Sequence, residues 1–283
     1  MAMDDAYFLT QKPKNSALAP YISYYYFHSV RNAQGATRFA YYPNYKNALT
    51  IYKNSSIQFS ENSSKSTPNA AVPYSMLYSG IQNTVRTAEL IAPFTKIGIV
   101  FEAFGIAPFM NNSFALFPQD PIDKSFDFFG EALEKCCDQV NAAADLDQKV
   151  ALLDHFFVDR LPLSVNSLLK NSIDFILNTE KRPTVNSICE QLGVNRKTLL
   201  RLFQKELGCS VKDYIHIVQF RKALNHYLLT NSKESLTALA LDGDYYDQSQ
   251  FIAHFKKLTG FNPSAFFKRV NRLGQEDTFW TFD

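Results

Sequence analysis

The chain is predicted to be an α+β protein of two domains: an N-terminal β-sandwich or barrel carrying a helical hairpin, then an all-α domain of two helix-turn-helix units. Three observations predict it. Short aromatic and β-branched runs, punctuated by Pro, Asn and Ser clusters, fill the chain before Phe126. From Phe126 the apolar period changes to the 3 and 4 spacing of helices. One pattern then occurs twice, 52 residues apart, from Asn195 through Phe203 to Gly208 and from Asp247 through Phe255 to Gly260. Each copy opens on a residue whose side chain caps a helix N-terminus and closes on a glycine that can take positive φ.

With 283 residues and 46% hydrophobic content, the chain has apolar material for two domains of ordinary size. The segment 1–16 is polar and acidic and lacks a basic stretch followed by an apolar one, so no secretory leader is expected. No stretch approaches the roughly 18 uncharged apolar residues of a membrane span. The expected location is the cytoplasm, without membrane contact. Cys136, Cys137, Cys189 and Cys209 lack C-x-x-C spacing, which predicts reduced thiols rather than a zinc site or a disulfide framework.

Taken in order, the strand-rich domain is expected over 1–165. Its clearest strands are 21–30, dense in aromatic residues, a short pair of strands at 47–52 and 56–59 around Lys53-Asn54, and 96–102. Turns are expected at Pro43-Asn44 and across 61–69. Near 126–161, Leu133, Cys136 or Cys137 and Val140 form one helical stripe and Val150, Leu153, Phe156 or Phe157 and Leu161 a second. Such a hairpin can pack on the barrel or on a second copy of the chain, and the sequence leaves both open. The aromatic residues Tyr21, Tyr24, Tyr25, Tyr26, Phe27, Tyr41, Tyr42 and Tyr45 likewise suit either a pocket for a small effector or an ordinary core.

Catalytic motifs are missing from this half. Of the five histidines only His28 and His155 precede residue 166, and no H-x-H, H-E-x-x-H, G-x-S-x-G or Gly-rich phosphate loop is present. Neither a metal nor a cofactor is expected, and the protein is not expected to be an enzyme.

The helical domain is expected over 166–272. Charge separates it from the rest: residues 1–165 sum to −2, 166–272 to +7, and 273–283, read as an acidic tail, to −3. A basic segment beside a near-neutral one points to a polyanion. In the first unit Thr184 caps a helix carrying Val185, Ile188, Cys189 and Leu192, Gly193-Val194 makes a tight turn, and Asn195 caps the next helix. There Leu199, Leu202, Phe203 and Leu207 face inward and leave Arg196, Lys197, Leu200, Arg201 and Gln204 outside. Arg and Lys pair with guanine edges, Gln with adenine, and an alkyl group with a thymine methyl, so this face suits a major groove. A long helix, 211–229, would span roughly 27 Å and could hold two reading heads about one DNA turn apart. In the second unit Phe251, Phe255 and Leu258 point inward. Ser249, Gln250 and Ala253 point out, flanked by Gln248 and Lys256. This head is less basic and is expected to contribute less specificity.

These strings resemble the DNA-binding domain of AraC/XylS-type transcription regulators. The carrying residues are Leu199-x2-Leu202-Phe203-x4-Gly208, Ala223-Leu224, and Tyr245-Tyr-Asp-Gln-Ser249-x-Phe251-x3-Phe255-Lys256-x3-Gly260-x2-Pro263. The resemblance implies base-reading positions at Lys197, Leu200 and Arg201 in the first helix and at Gln248, Ser249, Gln250 and Ala253 in the second. Asp244 stands where the family usually has glycine, and Gln219 where it usually has arginine. Leu18-Ala-Pro-Tyr-Ile22 and Gly98-Ile-Val-Phe101 more loosely resemble the cupin-like sensor halves of such regulators. The implied function is sequence-specific DNA binding at two successive major-groove segments, responsive to an effector through the N-terminal domain. Double-stranded DNA is the implied partner; a small-molecule effector, RNA polymerase and a second copy of the chain are others that the family allows. The alternative reading is a cupin-like small-molecule enzyme with an accessory DNA-binding domain.

Overall fold

In the computed structural model, residues 6–32, 34–103, 105–110, 124–161, 165–179, 182–229, 235–243 and 245–283 are described. Two six-stranded sheets face each other. The first has the order β1 (Ala6–Gln11), β2 (Ile22–Val30), β9 (Phe94–Phe101), β4 (Asn47–Lys53), β7 (Tyr74–Ser79) and β10 (Lys124–Ser125). The second runs β11 (Val270–Leu273), β12 (Thr278–Phe282), β3 (Ala36–Tyr41), β8 (Arg86–Ile91), β6 (Ser63–Pro68) and β5 (Ser55–Ser60). The β6–β8 pairing is parallel and the other pairings are antiparallel.

Successive side chains in a strand point to opposite faces, and β2 shows how both are used. Tyr25 and Phe27 pack with Leu49, Ile51, Ile97 and Ile99 against α1 (Gly130–Ala142) and α2 (Leu146–Val158). The expected hairpin therefore packs on its own sheet, with Leu133, Cys136, Cys137, Val140, Val150, Leu153, Phe156 and Phe157 all buried there. The buried Asp154 fastens it by accepting hydrogen bonds from Tyr25 Oη at 2.9 Å and from the backbone N–H groups of Lys14 and Asn15. Tyr24 and Tyr26, on the opposite face, enter the space between the sheets. There Phe8 stacks on Tyr26 and Phe39 stacks on Trp280 at 3.9 Å between ring centroids.

Gly98 of β9 lies directly under the Tyr26 ring, where a Cβ would sit 1.9 Å from a ring carbon. Glycine is required there because the ring occupies the volume a side chain would take. Gly98→Ala is expected to lower stability by about 1–3 kcal/mol through this overpacking, read as a lower urea midpoint at unchanged m-value.

Three expectations are corrected. The segments 47–52 and 56–59 do not pair with each other. β4 lies between β9 and β7, whereas β5 pairs with β6 in the other sheet. Asn54, at φ 48°, makes the step between sheets. β4 is buried on both faces and needs a neighbour on each edge, while β5 is a half-exposed edge strand. The stretch 61–69 contains a strand, β6, in which the inward alternation is carried by Ser64 and Ser66 instead of apolar residues. The supposed tail 273–283 folds as β12 inside the second sheet, with Phe279 and Trp280 buried and Asp277 neutralised by two cations. Its net negative charge had masked a core strand.

The helical domain comprises α3 (Ser167–Asn178), α4 (Val185–Leu192), α5 (Arg196–Leu207), α6 (Val211–Leu229), α7 (Leu236–Asp242), α8 (Gln248–Thr259) and α9 (Pro263–Phe267). Its first core, around Ile188, Leu199, Phe203 and Tyr214, also takes in Ile81 and Ala103 of the strand domain. The second, around Phe220, Leu239, Phe251, Phe255 and Phe266, takes in Tyr42 and Phe279. α6 is consequently buried on every side from Ile217 to Arg221, a polar stretch included, because it has helices on one flank and the strand domain on the other.

Candidate nucleic-acid interface

Each candidate reading helix is held by its caps. Thr184 and Ser187 form a capping box at the start of α4: the Thr184 hydroxyl accepts from Ser187 N at 3.0 Å, and the Ser187 hydroxyl accepts from Thr184 N at 2.9 Å. Gly193, left-handed at φ 63°, turns the chain, and Asn195 caps α5 by accepting from Thr198 N at 2.9 Å. At the second site Asp247 accepts from Gln250 N at 2.7 Å to cap α8, which ends on Gly260 at φ 79°. Acceptors placed on free N–H groups and left-handed glycines at the C-termini give two helices of the same twelve-residue length.

Packing then sorts the side chains. Leu199, Phe203 and Leu207 of α5 are buried, as are Phe251, Phe255 and Leu258 of α8. Lys197, Leu200, Arg201 and Gln204 are exposed; Leu200, at 40% exposure, is a large apolar side chain presented to solvent among cations. Arg196 is exposed too, but its Nε donates to Asn186 Oδ1 at 2.8 Å, which ties it back to α4. On the second helix Gln248, Ser249, Gln250, Ala253 and Lys256 are all exposed. Gln248 Oε1 accepts from the Thr237 hydroxyl at 3.2 Å, which ties it to α7, and Gln250 Oε1 accepts from Tyr246 N at 3.0 Å, which braces the turn before α8. Asp244 lies outside the described residues. Gln219 is 1% exposed on α6, a position with no free surface.

Tyr246, which the hydrophobic pattern did not single out, is 83% exposed immediately before the α8 cap. An aromatic residue beside polar turn residues was the available signal. Next to it Tyr245 is buried and its hydroxyl bonds His254 Nδ1 at 2.7 Å, and the His254 ring meets His216 of α6 at 4.9 Å. Burial lowers both imidazoles, His254 to about 4; His216, Lys257 and Arg182 add to the effect at His254, and Lys212, Arg182 and Lys257 add to it at His216, where Asp213 opposes them. This pair therefore joins α6 to α8 as neutral rings at neutral pH. Among the described residues no group of His, Cys, Asp and Glu could hold a metal ion, and no helix is long and apolar enough to cross a membrane.

Residues 188–269 match the family described as a helix-turn-helix domain. The Msm operon regulatory protein of Streptococcus mutans is 31% identical over 125 residues, which cover 42% of this chain and 44% of that protein. The lactose operon transcription activator of Staphylococcus xylosus is 30% identical over 94 residues, 33% of each chain. The chain thus spans less than half the length of these relatives. A solved structure of ToxT from Vibrio cholerae shares the fold at a TM-score of 0.50 and 13% identity, covering 93% of this chain and 98% of that one. Residues 188–269 thus form a helix-turn-helix domain, and this part of the chain is similar to the corresponding parts of these operon regulators.

Proposed function

We propose that the protein is a sequence-specific, DNA-binding transcription regulator of a bacterial cytoplasm, with no enzymatic activity, in which α5 and α8 enter two successive major-groove segments and the N-terminal domain responds to a small effector. The observation that carries this reading is the pair of capped helices whose apolar faces are buried while Lys197, Leu200, Arg201 and Gln204 stand exposed together on the first. The two heads differ. α5 exposes Lys197 and Arg201 around an apolar contact, and α8 engages Gln248 with α7 and Gln250 with the turn before it. This difference supports base reading by α5 and backbone register by α8, with Lys256 and Tyr246 as contacts there. RNA polymerase and a second copy of the chain enter only through the family resemblance.

Fluorescence titration of the full chain against genomic DNA fragments at two salt concentrations tests this. Affinity is expected to fall steeply with salt and to favour particular fragments. Binding that neither depends on salt nor prefers any fragment overturns the proposal.

A further inference from the structure

Among the described residues five large apolar side chains are exposed, and two of them stand at the candidate reading helices: Leu200 on α5 and Tyr246 in the turn before α8. Tyr246 is 83% exposed, and the next most open, Phe128, 43%. Folding does not require this ring. An apolar residue ahead of a helix often packs on the fourth helical residue, and here Tyr245 does so, its ring centroid 5.2 Å from that of Phe251. The 52-residue repeat sets Val194 against Tyr246, and Val194 packs partly buried on the core of its own unit. By contrast, among the described residues the Tyr246 side chain meets no other ring and makes no hydrogen bond.

The backbone that carries Tyr246 is fixed on both sides. Its N–H donates to Gln250 Oε1 at 3.0 Å, Asp247 caps α8, and the buried Tyr245 is held by its hydroxyl, 2.7 Å from His254 Nδ1. Gly243 lies so close to the Tyr245 ring that a Cβ there would stand 2.8 Å from a ring carbon. A ring presented from a braced turn loses little freedom on contact, because only its own side-chain torsions remain to be fixed.

We propose that Tyr246 is a base-reading residue of the second head, its ring packing on the C5-methyl group of a thymine in the major-groove segment entered by α8. The proposal rests on the reading of α5 and α8 as the two DNA-reading heads and names what the second one selects. A reading helix brings its N-terminal end to the base edges, and Tyr246 precedes the cap residue of α8. The apolar faces of the ring match the methyl group, the apolar feature that thymine displays in that groove. Gln248 and Gln250, which could pair with adenine, are engaged within the protein, so Tyr246 is the large contact left at this end. Leu200 offers the same chemistry on α5, giving each head one apolar contact.

The test is titration of the full chain against its preferred genomic fragment and against copies in which each thymine in turn is replaced by 2′-deoxyuridine. This removes the methyl group and keeps every hydrogen-bonding atom. The parent is expected to bind about three- to tenfold more weakly at one or more of these positions. Tyr246→Ala should become indifferent to deoxyuridine at thymines of one segment, and Leu200→Ala at thymines about one DNA turn away. Tyr246→Phe, which keeps the ring, should behave as the parent. No sensitivity in the parent, unchanged sensitivity in Tyr246→Ala, or loss at the same thymines in Tyr246→Ala and Leu200→Ala overturns the proposal. So does a uniform loss on all sequences in Tyr246→Phe, which makes the hydroxyl a phosphate contact. Fragment-selective binding that persists in these cases leaves the regulator reading standing, whereas a parent that prefers no fragment removes both.

Discussion

Asp277→Ala is expected to lower stability by about 3 kcal/mol and to loosen the helical domain from the strand domain. The carboxylate sits between Arg221 of α6 and Lys46, and the Asp277 backbone oxygen also accepts from Arg221 Nη2 at 2.7 Å. Arg221 is 2% exposed, so removing the carboxylate leaves a buried guanidinium without its countercharge, a loss of roughly 3–5 kcal/mol. The lower end applies because the backbone contact survives the substitution and Lys46 keeps its bond to the Ser23 hydroxyl at 2.8 Å. Burial by itself would raise the Asp277 carboxyl; Arg221 and Lys46 outweigh it and hold the group below the ordinary carboxylate value. A carboxyl depressed in the fold contributes stability above its unfolded value, near 4, and loses it as pH falls through the folded one. Urea unfolding of parent and variant across pH 7 to 2 should show a gap that is full at neutral pH and closes only in acid. A gap under about 1 kcal/mol, or one that ignores pH, would remove the ion cluster as the link between domains.

Arg201→Ala is expected to weaken binding to the preferred DNA fragment by about 1–3 kcal/mol, roughly 5- to 150-fold, and to relax choice at one or two base positions. Binding to unrelated DNA should change far less. Lys256→Ala on α8 supplies the contrast: uniform weakening on all sequences and a salt slope shallower by about one. Competition binding against a randomised pool reads both. Arg201→Ala with a uniform loss would make Arg201 a phosphate contact, and a lost base preference in Lys256→Ala would reverse the assigned roles of the two helices.

Much of the helical domain was legible because its signals are local. Asn195, Asp247 and Thr184 cap the helices that follow them, Gly193, Gly208 and Gly260 adopt the positive φ that ends a helix, and 211–229 is one helix. Each depends on neighbours within a few residues. The hairpin was legible for the same reason, since both stripes bury side chains at helical spacing. The strand domain was less so. Pairing there joins residues far apart: Gly98 is opposite Tyr26 on one side and Thr50 on the other, and β6 buries serines that carry no apolar signature.

The amino-acid sequence by itself determined the two-domain order, the capped helices and the outward placement of Lys197, Leu200, Arg201 and Gln204, because caps, glycine turns and helical periodicity act over a single turn. Only the tertiary structure decided that the chain returns after α9 to complete the second sheet with β12, that Asp277 thereby meets Arg221 and Lys46, and that Tyr245 is buried while Tyr246 beside it is exposed. Those arrangements are set by long-range strand pairing and by burial. Charge that reads as a solvated tail along the chain becomes, once folded, the countercharge of a buried cluster.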